Sequence, residues 1–146
     1  MRYKGLSIAL LVLTASFSLS ARDWQVEMLS YGEKGPMVFQ PDFIQAQVGD
    51  TVTFVPTQPG HHVQSYVTSP GQRDWSSKLN ETLQISLDHE GVHLYYCPPH
   101  LMMGMVGVIQ VGEPINKAVI ETKYPELRDK IALNPERVDT ILKNLE

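Results

Sequence analysis

The sequence predicts a mainly β domain, an antiparallel sandwich or barrel with α-helices packed on it at its C-terminal end. Three observations predict it. Between Trp24 and Val111, short runs alternate apolar and polar residues, the period of a strand with one buried face. Turn signals, Gly49-Asp50 and His89-Glu90-Gly91, separate the runs. After Gly112 the apolar residues recur at helical spacing instead. The chain has 146 residues, enough for one domain with a substantial core.

Residues 1–20 stand apart from that domain. Arg2 and Lys4 precede a compact apolar run, Leu6 to Leu13, which is followed by the small residues Ser16, Ser18, Ser20 and Ala21. This is the pattern of a cleaved secretory signal peptide, too short for a membrane-spanning helix. Cleavage after Ser20 places small residues at both recognition positions, whereas cleavage after Ala21 would place Leu19 at one of them. The exported chain is then expected to be soluble, without membrane insertion.

The strands follow in order: Trp24 to Met28, Ile44 to Val48, Thr51 to Val55, Leu83 to Leu87, Val92 to Cys97 and Val106 to Val111. Each is rich in β-branched or aromatic residues or alternates cleanly. Residues 21–112 form the β-sandwich and 113–146 a helical extension of the same domain. In the extension, Pro114 and Pro125 sit where helices can start. Asn134-Pro135 reads as an N-cap followed by proline at the first helical position. Val138, Ile141, Leu142 and Leu145 make one apolar face.

Charge excludes one class of function. The full chain has 12 basic and 16 acidic residues; residues 1–20 carry two of the basic ones and no acidic ones, so the exported part stands at 10 − 16 = −6 with histidines neutral. It has no basic cluster and no stacking pattern for nucleic acid.

Cysteine use points to a metal. Export leads to an oxidising compartment, where cysteines pair, yet Cys97 is the chain's one cysteine. It opens Cys97-Pro98-Pro99-His100-Leu101-Met102-Met103-Gly104-Met105, while Gly60-His61-His62 lies upstream after a strand-like run. A thiolate, two imidazoles and a thioether are the ligand set of a mononuclear blue-copper site. The prolines and Gly104 let the loop fold back so that Cys97, His100 and Met105 face one point. A histidine from a neighbouring strand end completes the set. Pro99 has no N–H, so it cannot donate to the sulfur; a donor there would favour Cu(I), and its absence holds the potential lower. His93 shares a strand face with Tyr95 and Cys97 and is expected in a hydrogen-bonded interior or flank position. His89 is expected in solvent, and Tyr96 points away from the Cys97 face.

With these motifs, and with Val26-Glu27-Met28-Leu29, Met37-Val38-Phe39 and Gly49-Asp50-Thr51-Val52-Thr53-Phe54, the chain resembles the cupredoxins, and within them the pseudoazurins. The resemblance covers nearly all of the exported chain, including the helical C-terminal extension. It implies a cupredoxin-like Greek-key sandwich holding one copper ion that cycles between Cu(I) and Cu(II). It also implies a periplasmic monomer that shuttles single electrons and is not an enzyme. By family match the ligands are His61, Cys97, His100 and Met105, and Met37 packs near the exposed histidine. The family's ligand directly follows the glycine, which favours His61 over His62; the family's next residue is usually an asparagine that ties the two ligand loops together. The family also implies a lysine collar that steers it to acidic partners such as copper nitrite reductase. Here the matching positions are Tyr31, Pro59, Ser76 and Tyr96, with Lys34 and Lys78 nearby, so a c-type cytochrome or docking by apolar contact is expected equally. A copper carrier or buffer with the same ligands is the alternative function. A redox enzyme would need an open metal position or a second copper.

Overall fold

The computed structural model describes residues 20–146. The expected signal peptide, save Ser20, lies outside the described residues. Among the described residues, eight strands make two four-stranded sheets, with β1 at Asp23–Gly32, β2 at Gly35–Gln40, β3 at Phe43–Ala46, β4 at Thr51–Val55, β5 at Gln64–Val67, β6 at Leu83–Ser86, β7 at Gly91–Tyr96 and β8 at Val106–Val111. One sheet has the order β2-β1-β4-β6 and the other β3-β8-β7-β5. From β2 to β7 each successive strand changes sheet, so the sandwich is assembled from distant parts of the chain. The sheets are mixed rather than purely antiparallel: β1 runs parallel to β4 and β3 parallel to β8. Alternation reports which face is buried and not strand direction, so this was not readable in the sequence.

Two expected elements shift. β1 runs on to Gly32 and β3 stops at Ala46, leaving Val48 exposed in the turn before Asp50. Two strands carry no alternation signal. β2 begins Gly35-Pro36 and buries the adjacent pair Val38 and Phe39. β5 spans four residues with an irregularity between Ser65 and Val67.

The core has two layers. Val26, Met28, Phe39, Phe54, Leu87, Tyr95, Ile109 and their neighbours fill the space between the sheets. Phe39, Phe54 and Trp75 surround Tyr95, with the Phe39 and Phe54 rings edge-on at 4.9 and 5.1 Å. Val92, Leu94, Val106 and Val108 face the other way, against the C-terminal helices. β7 and β8 are therefore buried on both faces, which is why they read as nearly continuous apolar runs.

Helix α1 is Lys117–Arg128 and α2 is Glu136–Leu142. Val138, Ile141 and Leu145 of the expected face are buried in this layer, with Leu142 partly buried at its edge, and Ile120 and Leu127 of α1 join them. The proline and cap expectations need correction. α1 starts after Asn116, and Pro125 lies inside its last turn, where the missing N–H removes only one helical bond. The side chain of Asn116 is used by the sheet: its Oδ1 accepts from Val92 N–H at 2.7 Å and its Nδ2 donates to the Val92 carbonyl at 2.9 Å. Asn134 makes no side-chain cap on α2; its backbone is left-handed, with φ 57°. Its carbonyl still accepts the first bond of the helix, from Arg137 N–H at 3.1 Å.

Among the described residues, no helix is long and apolar enough to cross a membrane.

Gly107 pairs with Tyr95 across β7 and β8, and a methyl group there would overlap the Tyr95 ring. Gly107→Ala is expected to destabilise the domain by about 1–3 kcal/mol through overpacking. Urea unfolding monitored by circular dichroism checks this, and an unchanged midpoint would contradict the packing described.

Candidate metal centre

The β7–β8 hairpin presents the loop that carries three of the four expected ligands. Tyr96 pairs with Val106, and the next bond runs from Cys97 N–H to the Met105 carbonyl at 3.0 Å. The connection between them is a 3₁₀ turn, Pro98–Met103, entered through two prolines. His100 N–H bonds the Cys97 carbonyl at 3.0 Å, and Met105 N–H bonds the His100 carbonyl at 3.3 Å. Gly104 ends the turn with φ +80°, a left-handed conformation that glycine adopts without a Cβ penalty.

His61 comes from the β4–β5 connection. Its carbonyl accepts from Asn80 N–H at 2.8 Å, and Gly60 N–H donates to Asn80 Oδ1 at 2.6 Å. The ligand atoms of His61, Cys97 and His100 all lie within 4.8 Å of one another. The Cys97 Sγ stands 3.5 Å from His100 Nδ1 and 3.9 Å from His61 Nδ1. Both imidazoles thus turn the same nitrogen toward the sulfur. Met105 is wholly buried in the same core cluster as Cys97, as is the expected position of the thioether.

His62 is not in this cluster. Its Nδ1 lies 3.3 Å from the Ser77 carbonyl, so the two neighbouring histidines face different ways. The backbone N–H groups of His62 and His100 pull the Cys97 thiol pKa down, whereas Pro99 has no N–H to offer. The brace expected from an asparagine after His61 comes from another loop: Asn80 holds Gly60, and Ser77 Oγ accepts from Val63 N–H at 3.1 Å.

Sequence reasoning missed Ser30. Its Oγ sits 3.0 Å from His61 Nε2, the ring nitrogen turned away from the sulfur. A partner there orients the ring and decides which nitrogen is free to ligate. A serine near the end of β1, 31 residues upstream of His61, carries no motif. Only the strand register places it.

Burial sets the protonation states. Burial, aided by the nearby His100, holds His61 down to about 4. Burial and then His62 lower His100 as well. Burial pushes the Cys97 thiol up, against the downward pull of the two backbone N–H groups. His93 is interior and hydrogen-bonded, its Nε2 2.9 Å from Ser69 Oγ, and burial lowers it to about 4. It belongs to the core and not to the ligand cluster. Tyr96 packs on the helix side of the sheet beside Tyr66, and His89 is exposed.

A buried soft thiol with two neutral imidazoles, and a buried thioether in the same core cluster as the thiol, fits a type 1 copper ion. Hard cations want oxygen donors, and the cluster offers none.

Comparisons with known proteins agree with this chemistry. Residues 26–112 match the model of the family described as copper binding proteins, plastocyanin/azurin family. The chain is 44% identical over 128 residues to a protein of Rhizobium leguminosarum bv. viciae that carries the pseudoazurin name, covering 84% of each. It is 41% identical over 91 residues to the pseudoazurin of Paracoccus pantotrophus, covering 61% of this chain and 63% of that one. The crystal structure of native pseudoazurin from Hyphomicrobium denitrificans superposes with a TM-score of 0.72 at 30% identity, covering 85% of this chain and 98% of that one.

At neutral pH the metal-free site holds a protonated thiol and neutral imidazoles. A thiolate ligand must lose its proton, so copper uptake is expected to release one proton per ion. Affinity should then fall by about tenfold per pH unit on acidification below the raised thiol pKa, and more steeply once the histidine ligands take protons, His61 at about 4. Calorimetric titration in buffers of different ionisation enthalpy reads the proton count; zero protons released at pH 7 would contradict the assigned states.

Proposed function

The chain belongs to the plastocyanin/azurin family of copper-binding proteins, on its pseudoazurin branch, and we propose that it carries single electrons in the periplasm on one copper ion held by His61, Cys97, His100 and Met105. Family membership supports a blue copper protein of electron transfer. The observation that carries the finer reading is the convergence of three ligand atoms within 4.8 Å from two separate loops, each held by backbone hydrogen bonds.

Bound copper supplies the one-electron couple. The protein's residues keep the geometry constant between its two states. Cys97 and Met105 sit on facing rungs of one hairpin, and His61 is held by Ser30 and by the Asn80 loop. Little needs to move when the charge changes, which favours fast transfer. His61 is fully buried, whereas His100 is partly exposed. The His100 ring edge is therefore the port for electrons.

Export after cleavage at residue 20 would deliver the protein to the periplasm as a monomer. Its partners would be a c-type cytochrome or an acceptor resembling copper nitrite reductase. Two features favour apolar docking. Lys34 is paired with Asp42 at 2.7 Å and Lys78 with Glu81 at 3.9 Å, so both nearby lysines have a carboxylate beside them. Met102, beside His100 in the loop, is 63% exposed, and Tyr31 is 72% exposed.

The visible spectrum of the copper-loaded protein tests the site. An intense thiolate-to-copper band is expected, and Cys97→Ser should abolish it. A colourless protein that binds zinc alone would refute the assignment. The alternative, a copper carrier using the same ligands, predicts rapid loss of the ion to a chelator; an electron carrier keeps it through repeated redox cycles.

The docking surface makes a separate prediction. Between low and physiological salt, the electron-transfer rate with a partner should change by less than about threefold, because exposed charge pairs contribute little and are screened. A steep fall with added salt would instead point to steering by opposite charges.

A further inference from the structure

The C-terminal extension does more than cover the second core layer. Between α1 and α2 the chain lies directly against the ligand loop. Ala132 N–H and Leu133 N–H both donate to the Met102 carbonyl, each at 2.9 Å. Asn134 Nδ2 donates to the Met103 carbonyl at 3.3 Å. Gly104, the next residue, is approached so closely that a Cβ there would stand 2.9 Å from the Leu133 carbonyl oxygen and 3.0 Å from that of Asn134. Asn134 adopts its left-handed backbone at this contact, with φ 57°. Asparagine is one of the few non-glycine residues that visit this region routinely.

Three residues on, Arg137 reaches a second segment, residues 34–37. Its Nη1 donates to the Pro36 carbonyl at 2.8 Å and to the Met37 carbonyl at 3.1 Å, and its Nη2 donates to the Lys34 carbonyl at 3.1 Å. One planar guanidinium thus holds three backbone carbonyls, Lys34 in the β1–β2 turn and Pro36 and Met37 at the start of β2, a task suited to a rigid fork of donors and not to a lysine. Met37 is held with φ 49°, an uncommon conformation for an unbranched long side chain that persists only when its surroundings enforce it. The Met37 side chain packs on the core cluster that contains Cys97 and Met105.

Other contacts of the extension are different in kind. The Arg128–Asp139 pair at 2.9 Å ties α1 to α2 and touches neither loop. The contacts of residues 132–137 instead fall on the ligand loop itself and on residues 34–37, whose Met37 packs on the cluster that holds Cys97 and Met105.

We propose that residues 132–137 are a strap that positions the copper loop, with Asn134 and Arg137 as its positioning residues. On this view the sandwich brings the ligands together, and the strap keeps Met102 to Met105 and Met37 from opening outward. Without it the loop would sample open conformations from which the metal escapes. The proposal rests on the ligand assignment above for its effect on copper, but its mechanical part concerns the metal-free chain as well.

The test uses the full exported chain and three variants. Arg137→Ala removes the fork. Asn134→Gly removes the side-chain bond while keeping the left-handed backbone accessible. Arg128→Ala breaks an ion pair of the extension that lies off the strap. Two rates are read: copper loss to excess chelator, and hydrogen exchange of the Gly104 and Met105 amides in the metal-free chain. Arg137→Ala and Asn134→Gly are each expected to raise both rates by about tenfold, the loss of a hydrogen bond to a partly buried or charged group. Arg128→Ala should leave both within about twofold of the parent, because this half-buried pair touches neither loop. Equal acceleration by Arg128→Ala would show general loosening and overturn the strap. So would rates in Arg137→Ala within about twofold of the parent. Should Arg137→Ala fail to fold, Asn134→Gly carries the test by itself. The two readings fail differently. A parent protein without the thiolate-to-copper band refutes the ligand assignment, whereas unchanged amide exchange in the strap variants refutes the strap.

Discussion

The hydrogen bond from Cys97 N–H to the Met105 carbonyl is the constraint on which the rest depends. It is the last rung of the β7–β8 hairpin and the base of the ligand loop at the same time. Because β7 and β8 are buried on both faces, between the opposite sheet and the helices, their register is specified twice. A slip of one residue would turn both apolar sets to the wrong layers. The loop therefore inherits its geometry from the most strongly determined part of the fold. The His61 loop is brought to it by the packing of one sheet on the other.

The same burial that fixes position also fixes charge. Taking a thiol and imidazoles out of water disfavours their charged forms, so the cysteine holds its proton and the histidines stay neutral in the metal-free chain. Neutral imidazole is the form that binds a metal, so the histidines are ready without losing a proton. The cysteine is not, and the metal must replace its proton. Ser30 behind His61 and the N–H groups of His62 and His100 near the sulfur are the local means by which the protein tunes this pocket.

The ligand residues were legible because they lie in one short segment of rare composition, with Gly60-His61 as its distant partner. Most strands were legible because one face of each is buried and alternation records that. β2 and β5 were not: β2 buries two neighbours in a row, and β5 is short, polar at its start and irregular in register. The Asn134-Pro135 pair was read correctly as marking the start of a helix and wrongly as a cap. Its side chain has a partner, Met103, that is 31 residues away in sequence, and no local rule refers to such a partner. For the same reason the extension looked like cover for the core, although its contacts reach the ligand loop and the start of β2.

The amino-acid sequence alone determined the chemistry of this protein: the soft donor set, the mainly β class and the helical ending all follow from residue types and local periodicity. Tertiary structure alone decided which residue stands behind His61, where the His62 side chain goes, and which strands run parallel. It also placed the segment at 132–137 against the loop. Local patterns record burial and turn geometry, which act between near neighbours in the chain. The His62 orientation, the Ser30 contact and the Arg137 fork each depend on groups brought together from segments 15 to 103 residues apart, and only the packed chain brings them within bonding distance.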